Sequence, residues 1–221
     1  MKIAVLCSGR GSNLLALLEA HAQGKIPGAE FVAVIADSRD AGALNIGREY
    51  GLQASVVPRA AFHANREGFE RRLLEVLAPH EIELVVLAGF QRVLGATFLD
   101  AYPGRVVNIH PALLPAFPGH MVWADEVQYG VKLAGATVHF VDAGVDSGPI
   151  IIQGAVPVLP GDGPDELAKR ILAVEHRIFP QAVAWLVSGK VTLAGRVAAL
   201  KGFAPTPEQI SQTFVWPPLE D

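Results

Sequence analysis

The chain has 221 residues, of which 51% are hydrophobic and 18% are charged, and its formal net charge is −4. This length suits one large domain or at most two small ones, and the apolar share excludes a disordered chain. The negative charge, with no local cluster of Lys or Arg, argues against nucleic acid as a partner. No apolar run reaches the roughly 18 residues of a membrane span, and the first residues do not form a secretory signal. We therefore expect a soluble, cytoplasmic protein.

The first half of the chain alternates short apolar strands with helical patterns. The predicted strands are Lys2–Cys7, Phe31–Ala36, Ser55–Val57, Leu84–Ala88 and Arg105–Ile109, and the predicted helices are Asn13–Ala22, Ala43–Tyr50, Arg66–Leu77 and Ala96–Ala101. Strands that are nearly continuous apolar runs are typical of a parallel sheet covered on both faces. The pattern predicts an α/β fold with a doubly wound, mostly parallel sheet, whose ligands bind beyond the carboxyl ends of the strands.

After Ile109 the pattern changes to a Pro-rich loop and a short helix near Ala124–Tyr129. Two long strand candidates follow, Gly135–Asp142 and Pro149–Leu159. We expect these two strands to pair as an antiparallel extension of the sheet.

Asp162 and a first-turn proline predict the start of a long helix that covers approximately Pro164–Val187, with Asp162 as its N-cap. From Lys190 onward the tail is weakly patterned. Pro217 and Pro218 indicate that the last residues are loosely held.

The segment Ser8–Asn13, with the sequence Ser-Gly-Arg-Gly-Ser-Asn, joins the first strand to the first helix. Its glycines let backbone N–H groups turn toward an anion, and the helix N-terminus adds further donors. We therefore predict a phosphate site at Gly11, Ser12 and Asn13. The structural alternative is that Ser12 or Asn13 only caps the helix.

A dinucleotide-binding oxidoreductase is a competing interpretation of the same segment. Asp37, near the end of the second strand, stands where an acid that binds a ribose would be expected. However, Leu14 occupies the place of the third glycine of the dinucleotide motif, which favours a single phosphate. A noncatalytic nucleotide-binding module also remains open at this point.

Asn108 and His110 end the fifth strand two residues apart, so an extended backbone points both side chains to one face. An amide can donate to an oxygen that gains negative charge, and an imidazole can exchange a proton near neutral pH. Asp146 follows in a Gly-rich loop; if that loop folds against His110, we expect the carboxylate to raise the pKa of His110 above ~6.5. Taken alone, Asp146 could be only a turn residue.

Three segments together resemble the signature of the 10-formyltetrahydrofolate-dependent formyltransferases. They read Asn-Ile-His-Pro-Ala-Leu-Leu-Pro at Asn108–Pro115, Thr-Val-His-Phe-Val at Thr137–Val141 and Asp-Ser-Gly-Pro-Ile-Ile at Asp146–Ile151. The opening Ser8–Asn13 segment is similar to that of the family members that act on glycinamide ribonucleotide. The resemblance covers nearly the whole chain, including Glu175 and His176.

The resemblance implies a Rossmann-like formyltransferase fold and the transfer of a formyl group from 10-formyltetrahydrofolate to the amine of glycinamide ribonucleotide, in de novo purine biosynthesis. It implies no metal, and small molecules as the only substrates. It implies a single domain, with residues 1–107 as the phosphate-binding half, 108–189 as the catalytic and folate-binding half, and 190–221 as a tail. The implied roles are chemistry at Asn108, His110 and Asp146, phosphate binding at Gly11, Ser12 and Asn13, ribose binding at Glu175, and folate binding at Gln91, Arg92, Val93, Leu94, Asn108 and, for the glutamate tail, Arg66.

The chain departs from the family pattern at three places, of which Ala112, where the family commonly has Ser, is the mildest. Gln91 replaces a residue that is usually Met, which a site formed by backbone groups should tolerate. His120-Met121-Val122-Trp123 displaces a family histidine by one position, and we assign His120 no catalytic role. His139 is expected to be a hydrogen-bonded strand residue.

A hydrolase that releases formate from the same folate is the alternative function in formyl chemistry. The chain is expected to be a monomer or a homodimer.

Overall fold

A computed structural model describes residues 1–62, 65–211 and 214. Pro217 and Pro218 lie outside the described residues, so the expectation for the end of the chain stays a prediction. In the described part of the chain, no helix combines the length and the apolar character needed to cross a membrane.

Seven strands form one sheet in the order β3-β2-β1-β4-β5-β6-β7. They are β1 (Lys2–Cys7), β2 (Glu30–Ala36), β3 (Gln53–Val56), β4 (Leu84–Leu87), β5 (Val106–His110), β6 (Leu133–Phe140) and β7 (Ile150–Pro157). Strands β1 to β5 pair in parallel, whereas β6 runs antiparallel to both β5 and β7. The predicted α/β class, with a mostly parallel sheet and an antiparallel extension, is confirmed.

Helices cover both faces of this sheet. They are α1 (Ser12–Ala22), α2 (Ala43–Glu49), α3 (Arg66–Leu77), α4 (Ala96–Leu99), α5 (Val122–Tyr129), α6 (Pro164–Val187) and α7 (Pro207–Ser211). Side chains from α1 and α6 pack in one core cluster, and side chains from α3 and α4 pack in a second. The long α6 therefore lies on the same face as the helix that follows the phosphate loop, where α1 and α6 contact each other.

The alternation of β1 between the two cores shows why its sequence is apolar throughout. Ile3, Val5 and Cys7 belong to the α1/α6 core, whereas Ala4 and Leu6 belong to the α3/α4 core. Burial raises the pKa of the Cys7 thiol to about 12. Cys7 is thus a small core residue.

One local prediction in the second half was wrong. The N-cap of α6 is Gly163 rather than Asp162, because the Asp162 carboxylate accepts hydrogen bonds from the Arg170 guanidinium at 2.6 and 3.1 Å and from the backbone N–H of Leu159 at 2.7 Å. Glu166 instead accepts from the N–H of Gly163 at 3.2 Å. After Lys190, where the sequence pattern is weak, β8 (Val191–Ala194) and β9 (Val197–Leu200) form an antiparallel hairpin that the sequence did not predict.

Glu126 is a buried acid on α5, and one of its carboxyl oxygens, Oε2, has no hydrogen-bond partner within the described residues. Burial raises its pKa from 4.5 to about 7. In the unfolded chain the group ionises near 4.5, so between that pH and about 7 the folded state holds a proton that the unfolded state has released. Glu126 therefore lowers stability progressively as the pH rises through this window.

We predict that Glu126→Gln removes the loss of stability that ionisation of the buried Glu126 causes. At about pH 8 the variant should unfold with a free energy higher than the wild type by on the order of 2 to 3 kcal/mol, and the two proteins should converge toward about pH 5. Denaturant unfolding at both pH values measures the difference. The exposed neighbour variant Asp125→Asn is the control and should keep the pH dependence of the wild type; an E126Q stability curve parallel to the wild-type curve would contradict the prediction.

Candidate active site

The carboxyl end of β5 and the facing part of β6 bring four polar side chains together. In the antiparallel register Asn108 lies opposite His139, and His110 lies opposite Thr137. The Thr137 hydroxyl donates to the carbonyl of Ala112 at 2.7 Å and accepts from the N–H of Leu114 at 3.1 Å. The turn after β5 is therefore fixed against β6.

Asp146 approaches this cluster from the loop between β6 and β7. Its Oδ1 accepts from Asn108 Nδ2 at 3.4 Å, and its Oδ2 lies 3.3 Å from His110 Nδ1 and accepts from the Gly119 N–H at 2.8 Å. Asp146 has a positive φ of 48°. The structure thus brings Asn108, His110 and Asp146 to one point, although they lie 38 positions apart in the chain.

The loop that carries Asp146 is held by a second acid at its start. Asp142 Oδ1 accepts from the Ser147 hydroxyl at 2.6 Å and from the Gly144 N–H at 3.1 Å. These bonds close a tight loop of six residues, and Asp146 reaches the strand ends as a consequence.

The electrostatics of His110 differ from the sequence expectation. Both ring nitrogens face acceptors: Nε2 lies 2.8 Å from the Phe117 carbonyl and Nδ1 faces Asp146. The pKa of His110 is nevertheless lowered, because burial outweighs the raising effects of Phe117 and Asp146. The expected raised pKa was therefore wrong, since burial cannot be read from a motif.

The pKa of Asp146 is lowered, which keeps its carboxylate charged. Burial alone would raise the pKa of Asp146, but the His139 ring, the Gly119 N–H and the His110 ring together outweigh it and lower the pKa. A carboxylate that stays ionised beside a mostly neutral imidazole can accept a proton or stabilise a nearby positive charge.

A cavity of about 330 Å³ opens beside this cluster. Asn108, His139 and Asp146 form part of its wall, and all four residues of the predicted folate segment also contribute: Gln91, Arg92, Val93 and Leu94. His120, from the altered loop, lines the cavity as well. The remaining wall comes from Leu87, Phe90, Gly119, Val141, Asp142, Gly144, Val145 and Ser147.

Two arginines lie near the folate segment. The Arg92 guanidinium lies 4.2 Å from the centre of the Phe69 ring. Arg66 lies outside the cavity wall, against Gly95, with its Nε 3.6 Å from the buried Glu70. Glu70 in turn accepts from the Gly95 N–H at 2.6 Å, so the segment and both cations are linked through α3 and the start of α4.

The phosphate loop enters α1 through Gly11, which has a φ of +86°. A Cβ at this position would lie 2.7 Å from the Cα of Ala43, so both the backbone and the space require glycine. Among the residues that the structure describes, no side chain caps α1, which begins at Ser12. The capping alternative for Ser12 and Asn13 is therefore excluded, and the first-turn N–H groups, which lack intrahelical acceptors, keep their capacity to bind an anion.

Asn13 instead contacts the second predicted substrate residue. Its Nδ2 donates to Glu175 Oε2 at 2.7 Å, while its Oδ1 has no partner within the described residues. Burial raises the pKa of Glu175 to about 6, against the lowering effect of the Asn13 bond. An acceptor carboxylate and an unpaired amide oxygen thus lie beside the phosphate loop.

Ser8 connects the phosphate loop with the folate segment. Its hydroxyl accepts from the Gln91 N–H at 2.9 Å, and its own N–H donates to the Gly89 carbonyl at 3.1 Å. The two predicted binding regions are therefore joined by direct hydrogen bonds at the ends of β1 and β4.

His139 is the residue whose place the sequence did not predict. It is hydrogen-bonded within its strand, as expected, but its ring also contacts Asn108 at 3.2 Å and forms part of the cavity. Thr137 and His139 are two residues apart on β6, so the sequence indicates that their side chains lie on one face of the strand. Only the register between β5 and β6 shows which residues they face. Among the residues that the structure describes, no group of three or more His, Cys, Asp or Glu is arranged to hold a metal ion.

A Rossmann-like sheet that gathers an amide, an imidazole and a carboxylate at the wall of a cavity defines an enzyme of the acyl-transfer class. The chain belongs to the formyl transferase family, whose sequence profile matches residues 1–183.

Individual relatives agree with this family. Phosphoribosylglycinamide formyltransferase of Mycobacterium tuberculosis is 47% identical over 199 residues, which cover 90% of this chain and 91% of the relative. The Escherichia coli protein of the same name is 38% identical, with 91% of this chain and 94% of the relative covered. The crystal structure of glycinamide ribonucleotide transformylase 1 from Symbiobacterium toebii superposes with a TM-score of 0.87 at 45% identity, covering 90% of this chain and 93% of that one.

We predict that Asp146→Asn lowers the pKa of His110 further. The substitution removes the negative charge that favours the imidazolium and leaves the effect of burial less opposed. A titration of the His110 ring by NMR measures the shift. The exposed Asp165→Asn variant on α6 should leave the titration unchanged, and an unchanged or raised His110 pKa in D146N would refute the assignment.

Proposed function

We propose that this enzyme transfers the formyl group of 10-formyltetrahydrofolate to the amine of glycinamide ribonucleotide, in the cytoplasm and as part of purine biosynthesis. The observation that carries the proposal is the convergence of Asn108, His110 and Asp146 beside a cavity that Asn108 and Asp146 line together with the segment from Gln91 to Leu94. The names of the relatives support the same transferred group and the same acceptor.

The two substrates are assigned to the two regions joined by Ser8. The phosphate of the ribonucleotide binds at Gly11, Ser12 and Asn13, and Glu175 accepts hydrogen bonds from the ribose. Because Asn13 Nδ2 already donates a hydrogen bond to Glu175 Oε2 at 2.7 Å, both side chains are positioned before the ligand binds.

The folate occupies the cavity, with its ring system against the backbone of Gln91, Arg92, Val93 and Leu94. Gln91 differs from the usual family residue, but its N–H is held by Ser8 whatever the side chain is. Arg66 and Arg92 are the cations available for the glutamate tail. A formyl group on this folate would then lie near Asn108 and Asp146.

The reaction begins when the amine nitrogen attacks the formyl carbon, which forms a C–N bond and a tetrahedral oxyanion. Asn108 donates to the oxyanion. The approach of negative charge raises the proton affinity of His110, whose two nitrogens already face the acceptors Phe117 and Asp146. A proton taken from solvent then forms the imidazolium, and it returns to solvent when the oxyanion collapses, so the proton balance is unchanged.

The second step breaks the bond between the formyl carbon and the folate nitrogen. The proton released by the amine nitrogen passes, through Asp146 and a water molecule, to the departing folate nitrogen. The products are the N-formyl ribonucleotide and tetrahydrofolate, and atoms and charge balance over the two steps.

The proposed function is tested by following deformylation of 10-formyltetrahydrofolate by the pure protein, with and without glycinamide ribonucleotide. We expect turnover that requires the amine and yields the formylated ribonucleotide. Equal formate release without the amine would identify a hydrolase, and the absence of turnover under both conditions would reject formyl chemistry.

We predict that Asn108→Ala lowers turnover by ~10²- to 10³-fold, because it removes a donor to the oxyanion. The melting temperature should stay close to that of the wild type, since the Asn108 side chain is only partly buried. Steady-state kinetics measure the effect, with the exposed Asn45→Ala variant as a matched control of normal activity. Near-normal turnover in N108A would contradict the role.

A further inference from the structure

The Asn108 amide needs a fixed orientation in order to donate to an oxyanion. An amide group can rotate by half a turn, which exchanges its NH₂ donors for its carbonyl acceptor. In the reversed orientation an oxygen lone pair would face the developing negative charge and would raise the barrier instead of lowering it. Some neighbouring group must therefore distinguish Nδ2 from Oδ1.

His139 is suited to make this distinction. The ring is buried, with 2% of its surface exposed, and its Nδ1 lies 2.8 Å from the Phe140 carbonyl oxygen. A carbonyl oxygen can only accept, so Nδ1 carries the hydrogen. In the neutral ring Nε2 then has a lone pair and accepts a hydrogen bond.

The Nε2 atom of His139 lies 3.2 Å from Asn108 Nδ2. The antiparallel register places the two residues directly opposite each other on β5 and β6, so the contact follows from the sheet. A register irregularity between β6 and β7 falls between Val138 and His139, where it adjusts the direction of the strand next to the site.

The remaining N–H of Asn108 points toward Asp146 Oδ1, at the longer distance of 3.4 Å. A ligand oxygen near the cavity wall can take over this weaker bond, whereas the bond to His139 keeps the amide plane in place. We propose that His139 is a positioning residue that fixes the orientation of the Asn108 amide toward the formyl oxygen. This assignment rests on the proposed function of the site.

The alternative for the same ring is an imidazolium. Asp146 Oδ1 lies 3.6 Å from His139 Nε2, beyond hydrogen-bond distance. If Nε2 carried a proton it would donate toward this carboxylate, and Asn108 would have to turn its oxygen to the ring. The position of one proton therefore separates the two arrangements.

The first test reads that proton in the wild-type protein. Long-range ¹H–¹⁵N spectra of the histidine rings near neutral pH should show Nδ1 of His139 protonated and Nε2 unprotonated. A protonated Nε2 would overturn the proposal. This measurement needs no activity, so it decides the hydrogen-bond assignment even if the protein fails to formylate glycinamide ribonucleotide, an outcome that would reject the proposed function separately.

The second test uses a matched pair of amide variants. In His139→Gln the terminal amide can place an acceptor where Nε2 stands, whereas the shorter His139→Asn reaches only the Nδ1 position. We expect H139Q to keep kcat within about fivefold of the wild type, and H139N to lose about 10- to 100-fold in kcat with both KM values within about threefold. Equal losses in both variants, or a loss confined to KM, would show that His139 is only structural. Melting temperatures of the two variants separate a folding defect from this effect.

Discussion

The change from parallel to antiparallel pairing at β5 and β6 is the constraint on which the site depends. Four crossover connections in the first half bring the carboxyl ends of the parallel strands to one edge of the sheet. If β6 were also parallel, another crossover would follow β5, and no short loop would bring a residue back to Asn108. Because β6 runs back along β5, its last residue, Phe140, lies opposite Val107, and the loop that follows folds back so that Asp146 contacts Asn108 and His110. Backbone pairing therefore brings Asn108 and His139 together, and the loop that Asp142 closes brings Asp146 to them.

The same edge of the sheet joins the two proposed binding regions. Ser8 bonds to the backbone after β4, and Asn13 at the start of α1 reaches Glu175 on α6. Both contacts lie where a strand or helix begins or ends, at the positions that ligands occupy in open α/β sheets. A ribonucleotide and a folate bound at these two places would thus approach each other across strands that the core already holds in register, which reduces the ordering needed on binding.

The sequence could predict the parts of this structure that depend on local pattern. The strand alternation placed Asn108 and His110 on one face, and the glycines of Ser8–Asn13 marked a tight turn, which the φ of Gly11 confirms. It could not predict quantities that depend on packing between distant segments. The contact of His139 with Asn108 requires the β5–β6 register, the lowered pKa of His110 requires its burial, and the loss of Asp162 as a cap requires Arg170 to reach back across two turns of helix. The assignment of Asp146 came from family resemblance, because a Gly-rich loop alone does not state where it folds.

Burial raises the pKa of a carboxylic acid and lowers the pKa of a histidine in this chain. The hydrogen-bond partners of each group decide how much of that shift remains. Asp146 is partly buried, yet donors and neighbouring rings keep it charged, whereas Glu126 has an unpartnered oxygen and its pKa rises to about 7. The pKa of Glu175 is raised less than that of Glu126, since the hydrogen bond from Asn13 partly offsets the effect of burial. His110 is shifted toward the neutral form although it faces two acceptors. Such a ring stays neutral beside the charged Asp146, and additional negative charge on a nearby oxygen would favour its protonation. A buried imidazole of this kind would contribute more to a transition state than to the resting enzyme.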